Sequence, residues 1–339
     1  MTARRFWSAL LLVSSAMFLT PLATPVHAGA LSSDVISMFP STVGEFAYAD
    51  LREARAFPWF GQLKEQMLPA KFRQFEQFLT AAGMDPNTQV EEVAWGLIAS
   101  GTTTGKTTGT DMPSAEEIVG VALGQFQPAA VQAYFANKKS SVTQVRGFTM
   151  YAFSGGTGAG DLVFMFLDAN TAAFGQRSIL EKMLDVRFGA QQSVMSNPTL
   201  YPLISQANGH GMVWAVLNPA YSRLAMHQLV PEAAQFPQAA QLLAKLQSLV
   251  ITIESANGIQ ANFTANFTSP DDSTSMGSIL QAGLMMARYQ AASKNNSTLG
   301  QMLDTAKINP NGNQLGVGVA LTNDQVVSLI QSKTFAVQM

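Results

Sequence analysis

Ile259-Gln260-Ala261-Asn262-Phe263-Thr264-Ala265-Asn266-Phe267-Thr268 decides the fold. Apolar and polar residues alternate here without a break. A period of two puts the isoleucine, alanines and phenylalanines on one face of a strand. The amides and hydroxyls go to the other. Such a strand predicts an antiparallel sheet with one wet face.

Outward from it, Leu249 to Ser255 reads as the preceding strand and Leu315 to Leu321 as a later one. Pro270-Asp271-Asp272-Ser273 leads into a Met-rich helix, Met276 to Ala292. A short helix, Leu299 to Ala306, follows, and Thr322-Asn323-Asp324 caps a last one. Before the strand, Met212 to Leu217 reads as strand, with helices at Pro219 to Leu229 and Pro237 to Gln247. The N-terminal part has the same order. Val43 to Leu51 reads as strand, Ala56 to Met67 and Ala70 to Ala82 as helices, Val93 to Ile98 and Ile118 to Phe126 as strands. Pro128 starts a helix to Asn137. Val142 to Phe153 and Leu162 to Leu167 read as strands around a Gly-rich turn. Thr171 to Leu184 reads as helix, and a Pro-interrupted stretch runs from Ser193 to Gln206.

Tyr48-Ala49-Asp50-Leu51 lines up with Trp214-Ala215-Val216-Leu217, and Ile118 to Phe126 with Ile259 to Phe267. The expectation is an α+β protein of two similar halves, 31–207 and 208–339, each an antiparallel sheet with helices packed on one face.

Residues 1–28 have the layout of a secretory signal peptide: Arg4-Arg5, an apolar run from Phe6 to Leu19, then Pro21 and Pro25. Small-residue cleavage sites end at Ala28 and at Ala30. The run is about 14 residues, short of the roughly 20 that span a membrane. Removal of Arg4 and Arg5 turns 20 Lys+Arg against 22 Asp+Glu into 18 against 22, a formal charge of −4. That balance argues against a nucleic-acid partner. Charged residues are 12% of the chain, about half the usual share. Cysteine is absent, which excludes disulfides, a lipidated cysteine and thiolate chemistry. Stability must come from burial, which about 310 residues can supply.

Chemistry-bearing motifs fail on their spacing. Gly101 to Thr107 (GTTTGKT) has three residues, not four, before Gly-Lys-Thr, and no predicted helix follows. Gly155 to Gly160 lies between strands, so a hairpin turn is its reading. His27 leaves with the signal, His210 lies in a turn and His227 on a helix, with no acid at ligand spacing. Glu91-Glu92, Glu116-Glu117 and Asp271-Asp272 mark element boundaries. Catalytic, cofactor-binding and metal-binding residues are therefore none, and no cofactor is expected. The stripe Met276, Leu280, Gly283, Leu284, Ala287 and the cluster Phe57-Pro58-Trp59-Phe60 read as core, with an adaptable binding face or an exposed patch as the alternative.

Met38-Phe39-Pro40 before a strand ending in Asp50-Leu51, a helix pair and then Gly83-Met84-Asp85 resembles a type of exported bacterial protein of unknown function. The resemblance covers the first third of the chain and implies no activity. The leading expectation is a non-enzymatic envelope protein, periplasmic or secreted, with a binding or structural role. The alternatives are a small-molecule or lipid-binding protein, with Met285 and Met286 near a pocket between sheet and helices, and a hydrolase built from distant acids. Its partner would be an envelope protein or a small apolar ligand.

Overall fold

The computed structural model describes residues 30–332 except 68–69, 105–110, 139–141, 153–157, 159, 230–236, 256–257 and 294–296. The expected signal peptide lies outside the described residues.

Its strands are β1 (Glu45–Asp50), β2 (Val90–Thr104), β3 (Asp111–Gly124), β4 (Val142–Val145), β5 (Phe148–Ala152), β6 (Leu162–Phe166), β7 (Thr171–Gln176), β8 (Val213–Leu217), β9 (Leu246–Ser255), β10 (Gly258–Phe267), β11 (Lys307–Asn311) and β12 (Gln314–Thr322). They join in one sheet, in the order β11-β12-β10-β9-β8-β1-β2-β3-β7-β6-β5-β4, with antiparallel pairing throughout. The helices are α1 (Ser33–Ser37), α2 (Leu51–Ala54), α3 (Phe60–Met67), α4 (Ala70–Ala81), α5 (Pro86–Gln89), α6 (Pro128–Lys138), α7 (Arg177–Arg187), α8 (Tyr201–Ala207), α9 (Pro219–Leu229), α10 (Pro237–Ala244), α11 (Pro270–Ser293), α12 (Ser297–Thr305) and α13 (Asn323–Gln331). The protein is thus mixed α+β around a large antiparallel sheet.

The leading strands of the expected halves, β1 and β8, lie side by side at the middle, with Ala47 opposite Ala215. Counting outward, β2 and β3 mirror β9 and β10. This order fits two similar halves fused edge to edge, although they form one sheet and not two. Both leading strands run into an Asx cap. Asp50 Oδ1 accepts the amide hydrogens of Arg52 and Glu53, and Asn218 Oδ1 that of Tyr221.

Alternation along the strands separates two cores. One face carries Ala47, Leu217, Ile251, Phe263 and Leu321, closed by Trp59, Tyr221, Met276, Met302 and Val326 from the helices. Farther along this face, Tyr151, Phe164 and Ala172 meet Leu79, Val131 and Phe135. The opposite face carries Phe46, Tyr48, Val121, Met165 and Trp214 beneath Ile36, Leu180, Met183 and Ile204. Helices therefore cover both faces at the centre of the sheet. The wet face survives on β10, where Gln260, Asn262, Thr264 and Asn266 stay partly exposed while Ile259, Ala261, Phe263, Ala265 and Phe267 are buried.

Several segments differ from expectation, each for a local reason. Val142 to Phe153 is not one strand: Arg146 and Gly147 take φ of 49° and 86° and turn β4 into β5. Thr171 to Leu184 begins as strand and turns helical only at Arg177. At Gly175 (φ 151°) a Cβ would lie 2.3 Å from the Ile118 carbonyl oxygen, so only glycine admits this close strand pairing. In the Gly/Thr-rich stretch 101–113 the described residues extend the β2–β3 ladder, with Thr104 opposite Asp111. β11 carries Pro310 and pairs only with β12, as an edge strand can.

Candidate functional site

α11 is anchored at its start. Ser269 Oγ accepts the Asp272 amide hydrogen at 3.2 Å and donates to Asp272 Oδ2 at 2.6 Å. Thr268 donates to the same oxygen at 2.9 Å, and Lys245 Nζ reaches Oδ1 at 2.6 Å. The Lys245 and Ser269 bonds hold the Asp272 carboxyl down at about 2. Met276 is buried, and Gly277 lies so close to β12 that a Cβ would stand 3.3 Å from Leu315. Leu280 completes the contact with the core. Near the other end, Arg288 ties the helix to α12 through the Leu303 carbonyl, at 2.8 Å from its Nη2.

The exposed side of the helix carries an open apolar stripe beside polar Ser278 and Gln281. Met285 is 63% exposed, Met286 64% and Tyr289 76%. With exposed Ala282 they stand at i, i+3, i+4 and i+7, one stripe of the helix. None of the four is charged. Of the stripe read from the sequence, Met276 is buried and Leu280 packs on the core, Leu284 and Ala287 are half-buried and Gly283 is exposed; Met285 and Met286, expected near a pocket between sheet and helices, are exposed instead. The sequence had hidden this, because Met, Leu and Ala occur all around the helix. In the aromatic cluster the core reading describes Trp59, which is 4% exposed and donates from Nε1 to Asn323 Oδ1 at 2.8 Å.

The acidic pairs lie within elements. Glu91 and Glu92 belong to β2, at a register shift between Val90 and Glu92. The bulge relaxes strict alternation and lets one guanidinium, Arg52, bond both carboxylates as well as Asp50. Burial raises the Glu92 pKa, and the Tyr48 hydroxyl beside it is pushed up by burial and by the Glu92 charge. Glu117 Oε1 accepts from Ser178 at 3.3 Å. Asp271 and Asp272 occupy the first turn of α11. His210 is exposed, and His227 lies in α9, well away in sequence. Among the described residues no group of three or more His, Cys, Asp or Glu is placed to hold a metal. Lys106 and most of Gly155 to Gly160 lie outside the described residues.

No protein-family model matches the chain, and no curated protein is similar to it. Among solved structures, crystal form I of TP0453 aligns over 90% of this chain and 99% of its own, at 12% identity and a TM-score of 0.49. A likeness of that size bears on neither activity nor partners.

Proposed function

We propose that this chain is an exported, non-enzymatic protein of the cell envelope, periplasmic or secreted, that docks an apolar surface of another envelope protein through α11. The exposed stripe Ala282, Met285, Met286 and Tyr289 carries the reading. Large apolar side chains grouped on one helical stripe are costly to leave in water and mark contact surfaces. A helix with anchors at i, i+3, i+4 and i+7 fits an apolar groove. Methionine adapts to the shape it meets, and tyrosine adds a rigid anchor with one polar end. Among the described residues no helix is long and apolar enough to cross a membrane.

The alternative of an apolar ligand between sheet and helices loses its support at Met285 and Met286, which face away from that interface. The hydrolase alternative, a site built from distant acids, gains no support from the acid cluster Asp50, Glu91 and Glu92, which Arg52 holds in ion pairs.

The test compares wild type with Met285→Glu/Tyr289→Glu. Both should unfold at the same temperature within about 2–4 °C, since neither side chain is in the core. In extracts of the native envelope, amide exchange across residues 282–289 should slow for wild type relative to the purified protein, and the slowing should vanish in the variant. Equal exchange in extract and buffer would sink docking through this face.

A further inference from the structure

Glu45 is the strangest residue in the core. It opens the central strand β1 yet is 1% exposed, and its Oε1 has no hydrogen-bond partner. Its strand neighbours are Leu97 on β2 and Leu217 on β8, both apolar and buried. Alternation puts its side chain on the face of Ala47, under α9. α9 brings Tyr221 against the adjoining Gly44, and the buried tyrosine hydroxyl also has no partner; Glu116 of β3 is near enough for its charge to act on Glu45. The other titratable residues of α9 are Arg223 and His227. α9 is pressed onto this spot. The Asn218 amide donates to the Gly44 carbonyl at 2.8 Å, and a Cβ on Gly44 would lie 2.4 Å from the Tyr221 ring.

We infer that Glu45 is a proton-operated latch: α9 stays docked on the sheet while Glu45 carries its proton, and loss of that proton frees α9. A neutral carboxylic acid is tolerable in an apolar core, whereas a carboxylate without a partner is not. Glu116 adds a like charge on the same side. Burial first, and Glu116 second, hold the Glu45 pKa well above its ordinary value. The linkage sign follows. The docked state keeps the proton at a pH where an opened Glu45, with pKa about 4.3, has lost it. Docking is therefore tightest in acid and weakens as pH climbs from about 4.3 toward the docked-state value. α9 touches α10, and α10 touches α11, so release would reach the helical layer. The latch stands independently of the docking reading above.

Hydrogen exchange of the full chain between pH 5 and 9, corrected for the intrinsic rate, tests it. Opening of residues 219–229 relative to β10 should rise by up to tenfold per pH unit in wild type, and stay level in Glu45→Gln. A flat wild-type profile, or a variant that rises in parallel, would overturn the latch. Should Glu45→Gln not fold, Glu116→Gln serves: it removes the like charge, and the total rise should shrink. An undiminished rise in that variant would count equally against the latch.

Discussion

Asp272 and Glu45 are both buried carboxyl groups, and their surroundings drive them in opposite directions. Asp272 accepts from Lys245, Ser269 and Thr268, so its charge is welcome. The Glu45 Oε1 has no such donor, so its proton is. The stability Asp272 contributes is therefore present above its unfolded pKa, near 3.9, and is lost as pH falls through about 2. Asp272→Asn should lower the melting temperature at pH 7, with the two proteins converging as the pH nears 2. A difference that persists unchanged into acid would place the effect in packing. The sequence discloses half of this site. Acids before a predicted helix announce the dipole-facing first turn, but nothing local announces Lys245, 27 positions away. Glu91-Glu92 teaches the same lesson. Alternation assigns adjacent strand residues to opposite faces, and only the bulge in β2 explains how Arg52 gathers both.

At the scale of elements, legibility follows how local the signal is. Thr322 takes extended backbone, its Oγ1 accepts the Gln325 amide hydrogen at 3.3 Å, and its own amide donates to Gln325 Oε1 at 3.0 Å. That reciprocal cap needs only residues three apart, and Thr322-Asn323-Asp324 marks the start of α13 in the sequence. Thr322→Ala should cost about 1 kcal/mol, seen as a shift in denaturant midpoint without a change in slope, while Thr322→Ser should cost far less. Equal losses from both would assign the effect to the β12 ladder instead. β10 was legible because one of its faces stays wet, which forces polar residues into register. β7 was not. Its residues are covered on both faces, by Phe135 and its cluster on one side and by Leu180 and Met183 on the other. Once both faces are dry, the alternation disappears, and Thr171-Ala172-Ala173-Phe174 reads as well in a helix. The exposed stripe of α11 was invisible for the same reason. Apolar residues occupy more than one side of the helix after Ile279, and its rotation is fixed by distant contacts such as Gly277 with Leu315 and Asp272 with Lys245.

The whole molecule turns on the joint between β1 and β8. Five register pairs, Glu45 with Leu217 through Ala49 with Val213, close the sheet there. Phe46 and Tyr48 of one strand each stack on Trp214 of the other, at 5.6 Å between centroids. Trp214 is fully buried, its indole enclosed by both halves. Cutting the chain between 207 and 208 would leave two open sheet edges and strip the partner from each aromatic wall. Unpaired edges with dry faces recruit other edges. Residues 208–339 made alone should therefore self-associate, and so should 31–207. Mixed during refolding, the two pieces should form a one-to-one complex in which Trp214 fluorescence returns to the blue-shifted maximum of a buried indole. Light scattering with chromatography gives the stoichiometry. If 208–339 runs instead as a folded monomer with dispersed amide signals, each half supplies its own core, and the joint is an interface between two domains. If neither state forms, and the pieces never recombine, β1 and β8 must pair while the chain is continuous. The strand order favours recombination, because on each side of the joint the strands of one half pair only with one another. A piece thus brings every strand-to-strand bond it needs except the five-residue ladder that its partner supplies.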